Sequence, residues 1–250
     1  MEREDPDDRL SRISTQWNLV FQAHQGPPEE AAAAQAELMN RYSGAVHRYL
    51  LGSLRDVHAA EELDQEFALR FLRGDFHRAD PSRGRFRDFV RRALRNLMID
   101  YQRRRKRLPH QAGDDMPEPQ DPIGNDFDES FRTSWRKELM SRAWACLQEL
   151  EDNQGKPYFV VLDERSRYPK MPSHELALSI SKRLGKTVDA GWVRQTLLRA
   201  RARYVEFLLA EVAASLPEPT LDAVEEELAD LDLLSYCAPA IERRRARRES

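Results

Sequence analysis

The 250-residue sequence has only two cysteines and no long apolar run. Cys146 and Cys237 are isolated, with no CxxC or Cys/His spacing, so neither a zinc site nor a disulfide framework is indicated. The densest apolar patch, "YFVVL", is far too short to cross a membrane. The acidic start, "MEREDPDDRL", has no apolar core of the kind found in secretory signals. The expected location is a reducing cytoplasm, with no membrane partner.

Sequence motifs of common enzyme classes are also absent. The chain contains no Gly-rich phosphate loop, no HExxH and no GxSxG. The six histidines are scattered, and the acids between residues 108 and 133 do not have the ligand spacing of a cation site. We therefore predict a protein that is not an enzyme and that needs no cofactor or metal.

Charge is abundant and is segregated by sign. The formal net charge is only −3, yet Asp80–Arg107 holds eleven Arg or Lys and three acids, a balance of +8. The following stretch, 108–133, holds seven acids and one arginine, a balance of −6. A second acidic stretch, 217–234, precedes a basic end, "ERRRARRES". Such segregation indicates a polyanionic partner for the basic faces and a separate role for the acidic segments.

Helical periodicity dominates the chain, and no strand pattern of comparable length competes with it. We predict an all-α protein with two small helical domains joined by an acidic linker. The predicted pieces are a disordered tail (1–14), a first helical domain (15–107), a Pro-containing linker (108–133), a second helical domain (134–216) and a C-terminal extension (217–250).

The basic stretch is predicted to be an amphipathic helix over Arg85–Arg107. Its apolar residues, among them Phe86, Val90, Leu94 and Leu97, recur at helical spacing. Arginines occupy the remaining faces: Arg87, Arg91 and Arg95, spaced by four, with Arg92 and Arg103. A charge run is commonly just a solvated helix face, but here no acids at i+4 balance the arginines. The closing "RRRKR" places five cations in a row, which repel one another unless an anion such as a nucleic-acid backbone neutralises them.

A second local pattern is typical of a helix-turn-helix. In "SHELALSISKRLG", Ser173 is placed to cap a helix that ends at Gly185. In the next helix, Val193, Leu197, Ala200 and Tyr204 share one face, and polar residues occupy the rest of the surface: Trp192, Arg194, Gln195, Arg199 and Arg203. Many helical hairpins look similar, so Trp192 is either core or contact. Leu198, on the outward side, either touches a thymine methyl or packs on another helix.

Taken together, these patterns resemble a bacterial RNA polymerase sigma factor of the extracytoplasmic-function (ECF) type over residues 15–212. "AAEELDQEFALRFL" is similar to the segment that docks on the β′ clamp helices, which implies polymerase-binding roles for Glu62, Gln65, Glu66 and Phe67. "RRALRNLMIDYQRRRKR" is similar to the helix that melts and reads the minus-ten element, including Asn96 and Asp100. "GWVRQTLLRARARY" is similar to the helix that reads the minus-thirty-five element. The turn "GKTVDAG" is longer than usual for the family, and residues 217–250 lie outside its two-domain pattern, although they look like the tail of a kinase-associated subgroup.

The resemblance implies two DNA-contacting sets. One would hold melted minus-ten DNA, with an aromatic and basic loop that captures a flipped base: Phe76, Arg78, Arg83, Arg85, Phe86, Arg87, Arg91, Arg95, Asn96, Arg103 and Arg104. The other would enter the major groove of the minus-thirty-five element: Trp192, Arg194, Gln195, Leu198, Arg199 and Arg203. The implied partners are core RNA polymerase, through its β′ clamp helices and β flap, and promoter DNA, both duplex and single-stranded. Control by an anti-sigma factor or a kinase stays open.

Two other functions are compatible with the same patterns. A stand-alone helix-turn-helix regulator would bind DNA without polymerase and would not need the Glu62–Phe67 surface. A helical adaptor would use the cationic helix to bind an acidic protein. Binding to core polymerase separates these alternatives from a sigma factor.

Overall fold

A computed structural model describes residues 16–73, 85–107 and 125–248. Within these ranges the regular structure is entirely helical, so the prediction of an all-α fold is confirmed. The helices are α1 (Gln16–Gln25), α2 (Pro28–Leu54), α3 (Val57–Leu72), α4 (Phe86–Arg107), α5 (Asn125–Gln154), α6 (Tyr158–Arg167), α7 (Ser173–Leu184), α8 (Ala190–Ala214), α9 (Leu221–Asp230) and α10 (Leu234–Arg248). No helix in the described ranges is both long and apolar enough to cross a membrane. The predicted tail, 1–14, and most of the predicted linker lie outside the described residues.

Local sequence accounts for the junction between α2 and α3. Pro28 opens α2, where its missing N–H costs nothing, and Glu29 and Glu30 follow in the first turn, where the helix dipole favours acids. The helix closes at Arg55, whose left-handed backbone (φ 52°) lets its N–H donate to the carbonyl of Leu51. Asp56 then caps α3, because its side chain accepts a hydrogen bond from the Ala59 N–H at 3.2 Å.

The described chain divides into two compact units. The first comprises the residues up to Glu138 together with Ala213–Ala223, and the second comprises Leu139–Val212 and the residues from Val224 onward. In the first unit, α2, α3 and α4 each bury one apolar stripe. The beginning of α5 closes this core with Phe131 and Trp135, and the Trp135 ring stacks on Tyr42 with centroids 4.7 Å apart.

The start of α5 corrects the predicted linker. Residues 125–133 were expected to be linker, but they form the first turns of α5. Phe131 and Trp135 lie four residues apart and are both fully buried in the first unit, where Arg48 also donates to Glu138 at 2.5 Å. Burial of this face stabilises the helix, although the acids and prolines of the surrounding sequence favoured a linker. The other domain boundaries remain predictions.

In the second unit, a charge cluster fixes α6 against α7. The Glu164 carboxylate, which is buried, accepts hydrogen bonds from the Ser179 hydroxyl and from Arg183 at 2.7 Å. Arg183 also donates to Asp163 at 2.8 Å. Helix α7 ends at Gly185 as predicted, in the left-handed conformation (φ 64°) that glycine adopts without strain. At its start, Pro172 occupies the cap position, so Ser173 is the first helical residue and not the predicted cap.

The C-terminal extension is largely part of the second unit. From Tyr204 to Val212, most side chains of α8 are buried, and the residues from Val224 onward supply apolar partners such as Leu228, Leu233 and Cys237. The ring of Tyr236 packs edge-on against that of Tyr204, with centroids 6.1 Å apart. The Tyr204 hydroxyl donates to the carbonyl of Met140 at 3.3 Å, which ties α8 to α5.

Candidate functional site

The outward face of α3 combines polar and apolar side chains. Gln65, Leu69 and Leu72 follow at spacings of four and three residues, which places them on one face of the helix. Gln65 is exposed, as is Glu62 one turn earlier, and Leu69 and Leu72 are each 48% exposed. This face was predicted only at Glu62 and Gln65. Leu69 and Leu72 extend it, and the signal that could have identified them is their helical spacing from Gln65.

The other two predicted docking residues on α3 do not lie on that face. Phe67 is 6% exposed and belongs to the core of the first unit. Glu66 is half-buried and bonds to two arginines: Arg70 Nη2 donates to its Oε1 at 2.5 Å, and Arg104 Nη2 donates to its Oε2 at 2.6 Å. Burial opposes ionisation of Glu66, but the hydrogen bonds from Arg104 and Arg70 outweigh it and lower the pKa of the carboxyl.

The exposed face of α4 is cationic, but it is not the predicted row of arginines. Among the side chains described on this helix, the exposed polar residues are Arg92, Arg95, Asn96, Arg103 and Arg104, and Arg104 is bound to Glu66. Arg87 is only 8% exposed. Successive residues advance about 100° around a helix, so side chains four apart drift by about 40°. The series Arg87, Arg91, Arg95 therefore passes from the buried side of the helix to the exposed side. Arg92 lies on the exposed side, although it was not among the predicted DNA contacts.

Arg91 is held by carboxylates of the first unit. Its Nη1 lies 3.1 Å from Asp128 Oδ1 on α5, and its Nη2 lies 3.4 Å from Asp88 Oδ1 on its own helix. Asp128 belongs to the stretch predicted as an acidic linker. One acid of that stretch therefore already pairs with an arginine of the cationic helix.

The aromatic end of α4 is part of the core. Phe86 is buried and packs against Tyr42 and Trp135, with ring centroids 5.0 and 6.2 Å away. A ring in this position supports the helix and is not displayed to a ligand. Arg85 precedes the helix and is half-buried. The remaining residues of the predicted base-capturing loop, Phe76, Arg78 and Arg83, lie outside the described residues.

Helix α8 presents its predicted contact residues to solvent. Asp189 caps the helix, since its Oδ1 accepts from the Trp192 N–H at 2.7 Å. Val193, Leu197, Ala200 and Tyr204 are buried as predicted, while the opposite side exposes Arg194, Gln195, Leu198, Arg199 and Arg203. Leu198 was expected either to contact a thymine methyl or to pack on another helix. It is 73% exposed, so within the described structure its side chain faces solvent.

Two of the predicted residues on α8 have additional partners. Trp192 is half-buried, and the Lys186 ammonium lies 5.6 Å from its ring centroid. Arg203 Nη1 donates to Glu206 Oε2 at 2.6 Å. Arg194, Gln195 and Arg199 form the exposed polar set nearest the start of the helix. No group of His, Cys, Asp or Glu in the described ranges is arranged to hold a metal ion.

Comparison with known proteins bears on α2, α3 and α4. Residues 38–108 match the family model for sigma-70 region 2. The match begins within α2 and runs to the end of α4, so it includes both the outward face of α3 and the cationic face of α4. The match covers less than a third of the chain, and this part of the protein is similar to region 2 of sigma-70 factors, which is consistent with a sigma-factor role in transcription initiation. No curated protein and no solved structure was found to match the chain.

Proposed function

We propose that this protein is a sigma factor of the ECF type, which docks on core RNA polymerase through α3, holds melted minus-ten DNA along α4 and reads the minus-thirty-five element with α8. The observation that carries the proposal is the region 2 match over helices whose exposed faces differ in character. One face is polar and apolar, as protein docking requires, and the other is cationic, as DNA binding requires.

Docking is assigned to Glu62, Gln65, Leu69 and Leu72. Two half-exposed leucines beside polar groups make a small patch with an apolar centre and a polar end. Burying an exposed leucine side chain contributes on the order of 1–2 kcal/mol, so the two leucines would provide a substantial part of the docking energy. Glu62 and Gln65 would fix the register on the partner helix.

Single-stranded promoter DNA is assigned to the exposed face of α4. Arg92, Arg95 and Arg103 can each neutralise a phosphate, and Asn96 between them can hydrogen-bond a base edge. The capture of a flipped base by Phe76, Arg78 and Arg83 stays a prediction from the family resemblance.

Duplex DNA is assigned to α8. Arg194 and Arg199 suit guanine edges, Gln195 suits adenine, and the exposed Leu198 suits a thymine methyl. Arg203, paired with Glu206, is assigned to the backbone. Neither DNA-binding surface needs high affinity by itself, because polymerase holds both near the promoter at high effective concentration.

The experiment that tests this function is binding to purified core RNA polymerase. The double variant Gln65→Ala/Leu69→Asp should lose binding by at least tenfold and keep its helical content. Val57→Asp is the matched control, because Val57 is also exposed on α3 but lies off the face shared by Gln65 and Leu69. Equal binding by the double variant and the control would contradict the docking assignment.

A stand-alone DNA-binding regulator is the second candidate, and the exposed polar residues of α8 favour it. Such a protein would bind a specific duplex without polymerase, and the Gln65→Ala/Leu69→Asp variant would bind that duplex as the wild type does. Binding measured with and without core polymerase separates the two functions.

A further inference from the structure

Glu66 and Arg104 join the docking helix to the basic end of the cationic helix. Both carboxylate oxygens of Glu66 are engaged, one by Arg70 at 2.5 Å and the other by Arg104 at 2.6 Å. Arg70 also lies 3.5 Å from Asp100 Oδ2 on α4. Two acids and two arginines therefore alternate in a cluster that we call the α3–α4 clasp, made of Glu66, Arg70, Asp100 and Arg104.

The position of Glu66 on α3 separates it from the proposed docking face. A residue lies about 100° around a helix from its predecessor, so Glu66 points well away from Gln65. Its side chain is 22% exposed, whereas Gln65 is exposed. Both carboxylate oxygens of Glu66 are already hydrogen-bonded, so a polymerase group would compete with Arg70 and Arg104 for them.

Arg104 is exposed like its neighbour Arg103, but unlike Arg103 it is hydrogen-bonded to Glu66. Both belong to the basic end of α4, and both were predicted to contact promoter phosphates. The charge of Arg104 is met at 2.6 Å by a carboxylate whose pKa is lowered, so that carboxylate stays ionised at neutral pH. Arg103 is exposed and lies on the same side of the helix as Arg92 and Asn96.

We propose that Glu66 is a positioning residue that holds Arg104 on α3, so that Glu66 does not contact polymerase and Arg104 does not contact a promoter phosphate. This inference rests on the proposed function and changes the roles that the family resemblance implies for these two residues. Glu66 thereby limits how many cations of α4 face the DNA, and it fixes the basic end of α4 against the helix that docks on polymerase.

The salt dependence of promoter binding distinguishes these roles, because the slope of log affinity against log salt concentration should change in a different direction for each variant. A phosphate contact contributes roughly 0.7–0.9 to the slope of log affinity against log salt concentration. Loss of Arg103 should make the slope shallower by that amount. Loss of Arg104 should leave it unchanged, because its charge is already neutralised within the protein. Glu66→Gln should make the slope steeper by a similar amount, since it releases Arg104 while Arg70 keeps Asp100 as a partner.

The experiment uses holoenzyme assembled from the full chain and core polymerase, with promoter DNA titrated at several salt concentrations. The variants are Glu66→Gln, Arg104→Met, their combination, and Arg103→Met as the matched control on the same helix. Core binding is measured separately, with Gln65→Ala as its control. Thermal unfolding is recorded for each variant, and a single cooperative transition above the assay temperature shows that the variant is folded.

The expected result is a steeper slope for Glu66→Gln, a slope near that of the wild type for Arg104→Met and for the double variant, and core binding by Glu66→Gln within about twofold of the wild type. A shallower slope for Arg104→Met would overturn the inference, because Arg104 would then be a phosphate contact. Weaker core binding by Glu66→Gln, or a steeper slope that persists in the double variant, would overturn it as well. If both controls, Gln65→Ala and Arg103→Met, behaved as the wild type, the proposed function itself would fail and this inference with it.

Discussion

The proposed binding of promoter phosphates by α4 predicts how many contacts the helix makes, from the exposure and pairing of its arginines. Arg92, Arg95 and Arg103 are exposed, whereas Arg87 is buried and Arg91 lies between Asp88 and Asp128. Arg104 is exposed too, but its charge is met by Glu66 at 2.6 Å. We therefore expect Arg92, Arg95 and Arg103 to neutralise one phosphate each. A triple variant with methionine at these positions removes the charges and keeps long side chains that favour a helix.

The expected change in the salt dependence of DNA binding follows from counterion release. Three lost contacts, each worth roughly 0.7–0.9, should make the log–log slope shallower by about 2.1–2.7. Over a fourfold rise in salt, for example from about 50 to 200 mM, the affinity of the wild type should thus fall roughly 20–40-fold more than that of the triple variant.

The assay is equilibrium binding of holoenzyme to a fluorescent promoter fragment across a salt series. Arg87→Met is the matched control, since it removes an arginine of the same helix from a buried position and should leave the slope unchanged. An unchanged slope in the triple variant would refute the assignment and would leave the cationic face as a solvated surface. A slope lowered equally by Arg87→Met would show that burial does not predict phosphate contact here.

Three further predictions concern the core, the charge cluster of the second unit and the reading of DNA sequence. Trp135→Ala should destabilise the chain by about 3–5 kcal/mol in urea unfolding, because it removes a fully buried ring stacked on Tyr42; a loss below about 1 kcal/mol would contradict the core assignment. Burial opposes ionisation of Glu164, but hydrogen bonds from Ser179 and Arg183 outweigh it and lower the pKa of the carboxyl. The ionised carboxylate therefore stabilises the fold at pH values above the ordinary glutamate pKa of about 4.3. This stabilisation is lost as the pH falls through the lower pKa of the folded state. Glu164→Gln should therefore be less stable than the wild type at pH 7, by on the order of 2 kcal/mol, and the two should converge in acid; parallel pH profiles would contradict the role of the carboxylate. Arg199→Ala should relax the preference at one upstream base pair, at roughly 1–3 kcal/mol, whereas Arg203→Ala should weaken all promoters alike; promoter libraries transcribed with each variant would show the reverse if the long "GKTVDAG" turn rotates α8.

Sequence reasoning predicted the features that depend on local periodicity. The apolar spacing of α3 and α4 identified both helices, Gly185 identified the end of α7, and the buried face of α8 was predicted from Val193 to Tyr204. Each of these depends on residues within a few turns of one another, where the physical rules are strong.

The features that were missed depend on residues far apart in the chain. Glu66 and Arg104 are 38 positions apart, and nothing in either local pattern indicates that they pair. The start of α5 was hidden because its acidic composition resembles a linker, while Phe131 and Trp135 find their partners on α2. Arg87 was placed with the exposed arginines because a spacing of four was treated as one face, although a helix of 3.6 residues per turn carries that series into the core.

We propose above that this chain directs core RNA polymerase to promoters. The most direct measurement is in vitro transcription from a library of genomic DNA fragments by core polymerase, with the wild-type chain, with the Gln65→Ala/Leu69→Asp variant, or with no added chain. We expect transcripts with defined 5′ ends only when the wild-type chain is present. Identical transcripts in all three reactions, together with specific DNA binding by the chain without polymerase, would contradict it.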